Sequence, residues 1–304
     1  MGAWHHVRTM SPRWQSAVLE PVPTLARYLE LDLRPGADAR TAVARIPDVR
    51  VPEKTVLGFG EPLTLALGAR ITGLRTFPCV SGPGGAFPAT QHALWAFFAS
   101  DDASDLHDRA RAFCALVGDA FVVRDEVPCF RYGEGRDLSG YEDGTENPKD
   151  ERAVDAAIVR GAGAGLDGST FVAVQRWVHT LDQLSRLAAQ ARDNVIGRSL
   201  STNEELADAP ASAHVKRAAQ ESFDPPAFMV RRSMPWGGVD HHGLYFVAYG
   251  ESLDRFERVL RRMSGAEDGI VDGLLSFTRA VSGGYYWCPP LDARGRLDLS
   301  VLKV

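Results

Sequence analysis

Two stretches of this chain repeat one another, and the repeat limits the fold more than any other feature. His92-Ala-Leu-Trp-Ala-Phe-Phe98 returns as His242-Gly-Leu-Tyr-Phe-Val-Ala248, an offset of 242 − 92 = 150 residues. Each is an apolar run of buried-strand length followed by an acidic turn and an amphipathic helix. The first helix places Leu106, Ala110, Phe113 and Cys114 at i, i+4, i+7 and i+8, with acidic residues near its start. The second spans about Leu253 to Met263. Further strand-like runs are Thr55–Phe59, Phe121–Val123 with the region through Phe130-Arg131, and Phe171–Val178, which a helix over Leu181–Ala191 follows. Leu25–Leu33 is a short apolar-periodic piece stopped by Pro35-Gly36, and residues 1–22 form an extended arm. The pattern predicts two related α+β halves, 1–155 and 156–304, each an antiparallel sheet with helices on one face. The boundary lies in the Gly/Ala-rich stretch Gly161–Gly165 or a little before it.

At 304 residues with 45% hydrophobic content, the chain can bury a full core. Its formal charge of −5 gives no general attraction to nucleic acid or to an anionic membrane, so small solutes are the expected partners. Cys79, Cys114, Cys129 and Cys288 are scattered, with no C-x-x-C pair, which argues against a zinc knuckle or a thioredoxin-type site. They read as the reduced thiols of a cytoplasmic protein. There is no run long enough for a signal-peptide core, and no stretch of ~20 apolar residues for a membrane span.

The polar loop Gly140-Tyr-Glu-Asp-Gly-Thr-Glu-Asn-Pro148 turns sharply at its glycines and holds carboxylates at fixed places. Downstream come His214, in Ser212-Ala-His-Val-Lys-Arg217, and the strand-like run Ala227-Phe-Met-Val-Arg-Arg-Ser-Met-Pro235. With Asp193-Asn-Val-Ile-Gly-Arg198, Gly243-Leu-Tyr-Phe246 and Ser282-Gly-Gly-Tyr-Tyr286, these motifs resemble the dye-decolorising peroxidases, the B-type branch most closely. The resemblance runs from about Val56 to Pro290. It implies a duplicated ferredoxin-like fold of the dimeric α+β barrel superfamily. It also implies a haem peroxidase that reduces hydrogen peroxide through a ferryl intermediate while oxidising dyes, phenols or other small organic reductants. Haem b is the implied cofactor, held non-covalently because no C-x-x-C-H motif is present. A homo-oligomer is expected.

By that resemblance His214 is the iron ligand and the loop carrying Asp143 is the distal wall. Ser201-Thr-Asn-Glu204 has capping-box spacing, so a helical turn is expected to start there and to end or turn at Pro210. His214 then lies in a polar segment with no apolar face to occupy. Asp272 is the candidate partner for its other ring nitrogen; a helix-surface aspartate is the equal alternative. Along the strand, alternation puts Arg231 and Ser233 on one face and Arg232 on the other. Spacing alone does not choose between the arginines. The family pattern, in which the distal Arg stands two residues before a small polar residue, selects Arg231 and leaves Arg232 to a surface ion pair. Asp143 would shuttle a peroxide proton, Arg231 would stabilise the bound anion, and Ser233 would orient a distal water. Glu146 is placed along the peroxide channel, and Asn147-Pro148 shapes the loop. Arg198 is a candidate propionate partner, with a structural salt bridge as its alternative. His179 is read as a capping or packing residue near the haem edge, and Trp177, Trp236, Trp287, Tyr285 and Tyr286 as core aromatics or electron relays.

Three other readings stay open at this level: a haem-handling protein without significant peroxide turnover, a Ser-His-Asp hydrolase, and a structural assembly protein. The absence of a G-x-S-x-G elbow argues against the hydrolase. The tail Arg296-Leu-Asp-Leu-Ser-Val-Leu-Lys-Val304 reads as an edge strand or frayed end. It also loosely resembles the short C-terminal tags that load some relatives into encapsulin shells.

Overall fold

The computed structural model describes residues 13–46 and 53–304. The first half of the chain contributes strand β1 (Leu25–Leu33), helix α1 (Ala39–Ala44), β2 (Thr55–Phe59) and α2 (Glu61–Ala66). A small hairpin of β3 (Val80–Gly82) and β4 (Gly85–Phe87) follows, then β5 (Leu94–Ser100), α3 (Ala103–Val117) and β6 (Phe121–Phe130). Helix α4 (Asp150–Ala157) leads into the second half: β7 (Thr170–His179), α5 (Leu181–Ser185), α6 (Ala189–Ile196) and α7 (His214–Arg217). Then come β8 (Val230–Arg231), β9 (Met234–Gly237), β10 (His242–Gly250), α8 (Leu253–Met263), β11 (Thr278–Ala280) and β12 (Gly284–Cys288). Both repeated motifs are strands followed by helices. The expected division at 155/156 falls inside α4, whose backbone hydrogen bonds run across it. Leu25–Leu33 is a strand, because its residues face opposite sides in turn: Leu29 and Leu31 outward, Tyr28 and Glu30 inward.

The sheets of the two halves close on each other. Going round, the strands pair β2-β5-β1-β6-β9-β10-β7-β12 and back to β2, all antiparallel. Numbered within its own half, each four-strand sheet has the order 2-3-1-4, which is the structural form of the sequence repeat. The joints are Cys129 opposite Trp236 and Trp287 opposite Phe59. Closure gives each of these eight strands a neighbour on both sides and makes two layers of core. Tyr28, Trp95, Val172, Val174, Tyr245, Val247 and Tyr286 fill the barrel interior. Leu29, Leu57, Phe98, Ala173 and Trp287 face outward under the helices. Strand β5 is buried along its whole length because both of its faces are covered.

Helix α8 shows why such a segment is helical and where it docks. The Ser252 hydroxyl caps its first turn by accepting from the Asp254 N–H, and Arg261 and Arg262 lie in its last turn. Leu253, Phe256, Val259, Leu260 and Met263 form one buried stripe. Burying each stabilises the docked helix by about 1.5–3 kcal/mol.

The halves differ in one respect that matters. Between β1 and β2 the connection is 54 − 34 + 1 = 21 residues, but between β7 and β8 it is 229 − 180 + 1 = 50. In the first half α3 packs directly on the sheet through Leu106, Ala110, Phe113 and Val117. In the second half the longer connection supplies α5, α6 and α7, and a cavity lies between α6, α7, α8 and the sheet.

Several local expectations change. The helix expected over Leu181–Ala191 is broken into α5 and α6, with Arg186 to Ala188 between them. Ser201–Glu204 starts no helix; Thr202 and Glu204 form a local turn instead. The strand Ala227–Ser233 is ordered as sheet only at Val230-Arg231 and again from Met234. The tail is neither an edge strand nor frayed. Ser300–Leu302 is a 3-10 turn whose Leu302 is fully buried with Leu297 and Leu299, and the Lys303 carbonyl accepts from Arg40. Of the N-terminal arm, residues 1–12 lie outside the described part, and Ser16–Val18 is a 3-10 turn.

Candidate active site

The cavity of the second half opens to solvent and holds about 960 Å3 of empty space, the solvent at its mouth included. Its floor is the outer face of β7 and β10, with Gln175, Trp177, Leu244 and Phe246. Phe256, Leu260 and Met263 of α8 form one wall, and the loop from Asp137 to Asp143 closes another. His214 and Arg231 both reach it.

His214 is the first residue of α7. This four-residue helix is held tightly in place: Arg217 donates to Asp268 and to the Arg262 carbonyl, tying it to α8. Gly197 ends α6 in the left-handed region at φ +92, where a Cβ would lie 2.3 Å from Val215. Only glycine lets α6 end there and lets α7 pack on it. His214 Nδ1 lies 2.8 Å from the Asp272 carboxylate. Asp272 is 1% exposed and also accepts from the Leu274 N–H, so it both caps the turn Gly273–Ser276 and fixes the imidazole. With Nδ1 taken, Nε2 is the ring nitrogen left for the cavity, the arrangement of a histidine prepared as a metal ligand.

The loop on the other wall is shaped by Gly140 (φ +92) and Gly144 (φ +76). The Tyr141 hydroxyl donates to Asp193 of α6 at 2.6 Å, and Asp193 also accepts from the Leu200 N–H. The role of the Asp193–Arg198 motif is therefore to strap the loop to α6. Asn147 does more than shape a turn. Its side chain accepts from the Arg231 N–H at 2.9 Å and donates to the Arg231 carbonyl at 2.8 Å, replacing a missing strand neighbour. Loop and β8 are thereby locked together, bringing Asp143 and Arg231 to one cavity.

Arg231 points into the cavity, while Arg232 turns away. The Arg232 guanidinium donates to the carbonyls of Leu19, Glu20 and Arg231, so it has main-chain partners in place of the expected surface ion pair. Ser233 does not line the cavity; its hydroxyl accepts from the Val247 N–H at 3.4 Å, across the break in the strand. Arg198 and Glu146 are also off the wall. They pair with each other, Arg198 further bonding the Asn203 carbonyl and lying 3.7 Å from Glu205. Glu146 is exposed and borders an outer cleft with Arg152 and Arg255.

Sequence reasoning undervalued His179. It is buried on the cavity wall, 2.9 Å from Asp137 and 2.6 Å from the Thr278 hydroxyl. Burial pushes the Asp137 carboxyl up, but the hydrogen bond and charge of His179, with the Ser139 contacts, outweigh it and hold it below the usual range. The signal available in the sequence was its place at the end of β7, two residues after Trp177 and so on the same face.

The residues present fit haem. Arg231 Nε, Gln175 Nε2 and Trp177 Nε1 are buried on or beside this wall without hydrogen-bond partners among the described residues, as expected of donors that a bound group would satisfy. Apolar side chains make up most of the remaining lining, which suits a macrocycle.

The C-terminal family model of the Dyp-type peroxidases matches residues 134–293, more than half of the chain and all of this cavity's loop, histidine and arginine. The dye-decolorizing peroxidase of Mycolicibacterium paratuberculosis is 30% identical over 94% of this chain and 87% of its own length. The chain belongs to the dye-decolorising peroxidase family. A second relative, from Mycobacterium tuberculosis, is 33% identical over 75% of this chain and 70% of its own length. Among solved structures, a haem-bound variant of DypB from Rhodococcus jostii RHA1 superposes with a TM-score of 0.86 at 28% identity, covering 93% of this chain and 98% of that one. A dye-decolorizing protein from Vibrio cholerae gives 0.83 at 29% identity over 95% and 99% of the two chains. The family makes this a haem-dependent peroxidase acting on hydrogen peroxide and organic reductants. No helix among the described residues is long and apolar enough to cross a membrane.

Proposed function

We propose that His214 holds the haem iron through Nε2, with Asp272 as the partner that sets its tautomer and raises its basicity. The observation that carries this is the 2.8 Å contact of Nδ1 with a buried carboxylate, which leaves one ring nitrogen for the cavity. When bound, haem b supplies the redox-active iron at which peroxide is reduced. Asp143 takes the proton from the inner oxygen of peroxide and returns it to the outer one, so that water leaves. Arg231 offers a fixed positive charge to the anion formed on the way. Its main chain is clamped by Asn147, so this charge is preorganised. Ser233 supports the break between β8 and β9, and Arg198 with Glu146 steadies the loop from outside.

The protein would hold haem without a covalent link, so acid–butanone extraction should carry the pigment into the organic layer. Colour retained by the protein would falsify that part. A visible spectrum before and after one equivalent of peroxide tests the peroxidase chemistry. An unchanged Soret band argues for a haem carrier instead.

The four cysteines are unpaired, which fits a reducing compartment such as the cytoplasm. Loading into an encapsulin shell would require the tail to leave its packed position, since Leu297, Leu299 and Leu302 are core residues. Sedimentation of the holo-protein reads the expected homo-oligomer.

A further inference from the structure

A second chemical cluster lies inside the barrel, on the opposite face of the sheet from the haem cavity. Glu30 is an inward-facing residue of β1, 2% exposed, with no cation bonded to it among the described residues. The Tyr245 hydroxyl donates to its Oε1 at 3.0 Å and the Tyr286 hydroxyl to its Oε2 at 2.7 Å. Trp95 Nε1 donates to the Tyr245 oxygen at 3.1 Å. Because an indole N–H can only donate, the Tyr245 proton must point to Glu30. The Tyr28 ring stacks on Tyr245 with centroids 4.1 Å apart, and the Trp95 ring is 6.1 Å from Tyr286. Tyr245 stands in β10 between Leu244 and Phe246, both of which line the haem cavity. One strand's thickness separates the two.

We propose that Tyr245 and Tyr286, with Glu30 as their shared proton acceptor, form an internal one-electron store for the peroxidase. One tyrosine gives an electron through β10 to the peroxide-oxidised cofactor. Its O–H bond breaks and the proton passes to the carboxylate oxygen it already contacts, leaving a neutral phenoxyl radical and a neutral acid. When a reductant later supplies an electron, the proton returns from Glu30 and the phenol is restored. No tyrosyl cation is formed in the dry interior: the carboxylate's negative charge is neutralised by the proton as the electron leaves and is restored when the electron returns, which is the physical use of a buried carboxylate here. Burial pushes the Glu30 carboxyl up while the two phenols pull it back. It therefore grips the transferred proton more firmly than an exposed glutamate would.

The test is freeze-quench electron paramagnetic resonance of the holoenzyme after one equivalent of peroxide, without reductant. The wild type should give a tyrosyl radical, and the double variant Tyr245→Phe/Tyr286→Phe should lose it. Glu30→Gln, which keeps the shape but cannot take the proton, should lose most of it too. Haem content and the Soret band of the same samples separate a failure of cofactor binding from a failure of the store. An unchanged radical signal in the double variant overturns the proposal. In the haem-free protein, infrared titration should find Glu30 ionised at neutral pH, as a carboxyl band that appears only on acidification and is absent in Glu30→Gln. A band already present at neutral pH overturns it as well.

Discussion

The Trp95 indole N–H donates to the Tyr245 hydroxyl at 3.1 Å, and these two residues hold the same place in the repeated motif, 150 positions apart. They meet inside the barrel where the two halves face each other. Two tryptophans there would offer two donors and no acceptor, so the contact requires that the two copies differ at this position. Trp95→Phe removes the donor and part of the ring. It should lower stability by about 1–3 kcal/mol while leaving haem uptake intact. Urea unfolding monitored by circular dichroism measures the first, and haem titration the second. An unchanged midpoint would mean that the bond contributes nothing net.

His214→Ala should abolish tight haem binding, and Asp272→Asn should weaken it by ~10–100-fold, the usual effect of losing a ligand's hydrogen-bond partner. Haem titration followed at the Soret band distinguishes the two. If Asp272→Asn binds like the wild type, the carboxylate serves only the turn it caps.

The two adjacent arginines should separate cleanly. Arg231→Leu is expected to slow the reaction with peroxide by ~10²–10³-fold, at least as much as Asp143→Asn. Arg232→Leu should react at nearly the wild-type rate, yet be destabilised by its three lost contacts with main-chain carbonyls. Stopped-flow mixing with peroxide and a thermal melt decide it; a crippled Arg232→Leu would invert the assignment.

Asn147→Ala leaves the Arg231 N–H without its side-chain partner and its carbonyl with only the Arg232 guanidinium. Loss of alignment of about 1 Å can cost up to ~10²-fold in rate, so this variant should mimic part of the Arg231→Leu defect while keeping its haem. Equal peroxide rates in Asn147→Ala and the wild type would show that the strand holds Arg231 unaided.

Asp137 gives a pH signature. Its carboxyl is held below the ordinary range by His179 and Ser139 against the effect of burial. A depressed folded-state pKa adds stability that is present above the unfolded value, about 3.9, and disappears as pH falls through the folded one. Asp137→Asn should therefore be less stable than wild type at neutral pH, with the gap closing below about pH 4. Denaturant midpoints across that range test the sign.

The duplicated architecture was legible because it rests on short-range patterns. The strand Thr55–Phe59 and the helix Leu253–Met263 have the limits that the sequence pattern predicts. Barrel closure was carried only by the family resemblance, since a contact such as Cys129 with Trp236 leaves no local trace. At the site, His214, Asp272, Asp143 and Arg231 do share one cavity or support it. Ser233 was misplaced because alternation gives the face of a residue but not the reach of its side chain: its short hydroxyl turns back to Val247. Asn147 was undervalued because a side chain standing in for a strand partner is invisible until the two segments meet. Glu30 gave no warning at all, since nothing in the run Leu25–Leu33 distinguishes it from Asp32, which stays partly exposed.

The 50-residue connection between β7 and β8, against 21 between β1 and β2, has a stoichiometric consequence. A barrel assembled from two identical chains would carry the same opening twice, and any gain in one would be imposed on the other. Joined in one chain, the copies are free to specialise, one remaining a solid buttress while the other is hollowed and equipped. Fully loaded protein should accordingly contain one haem per polypeptide, not two.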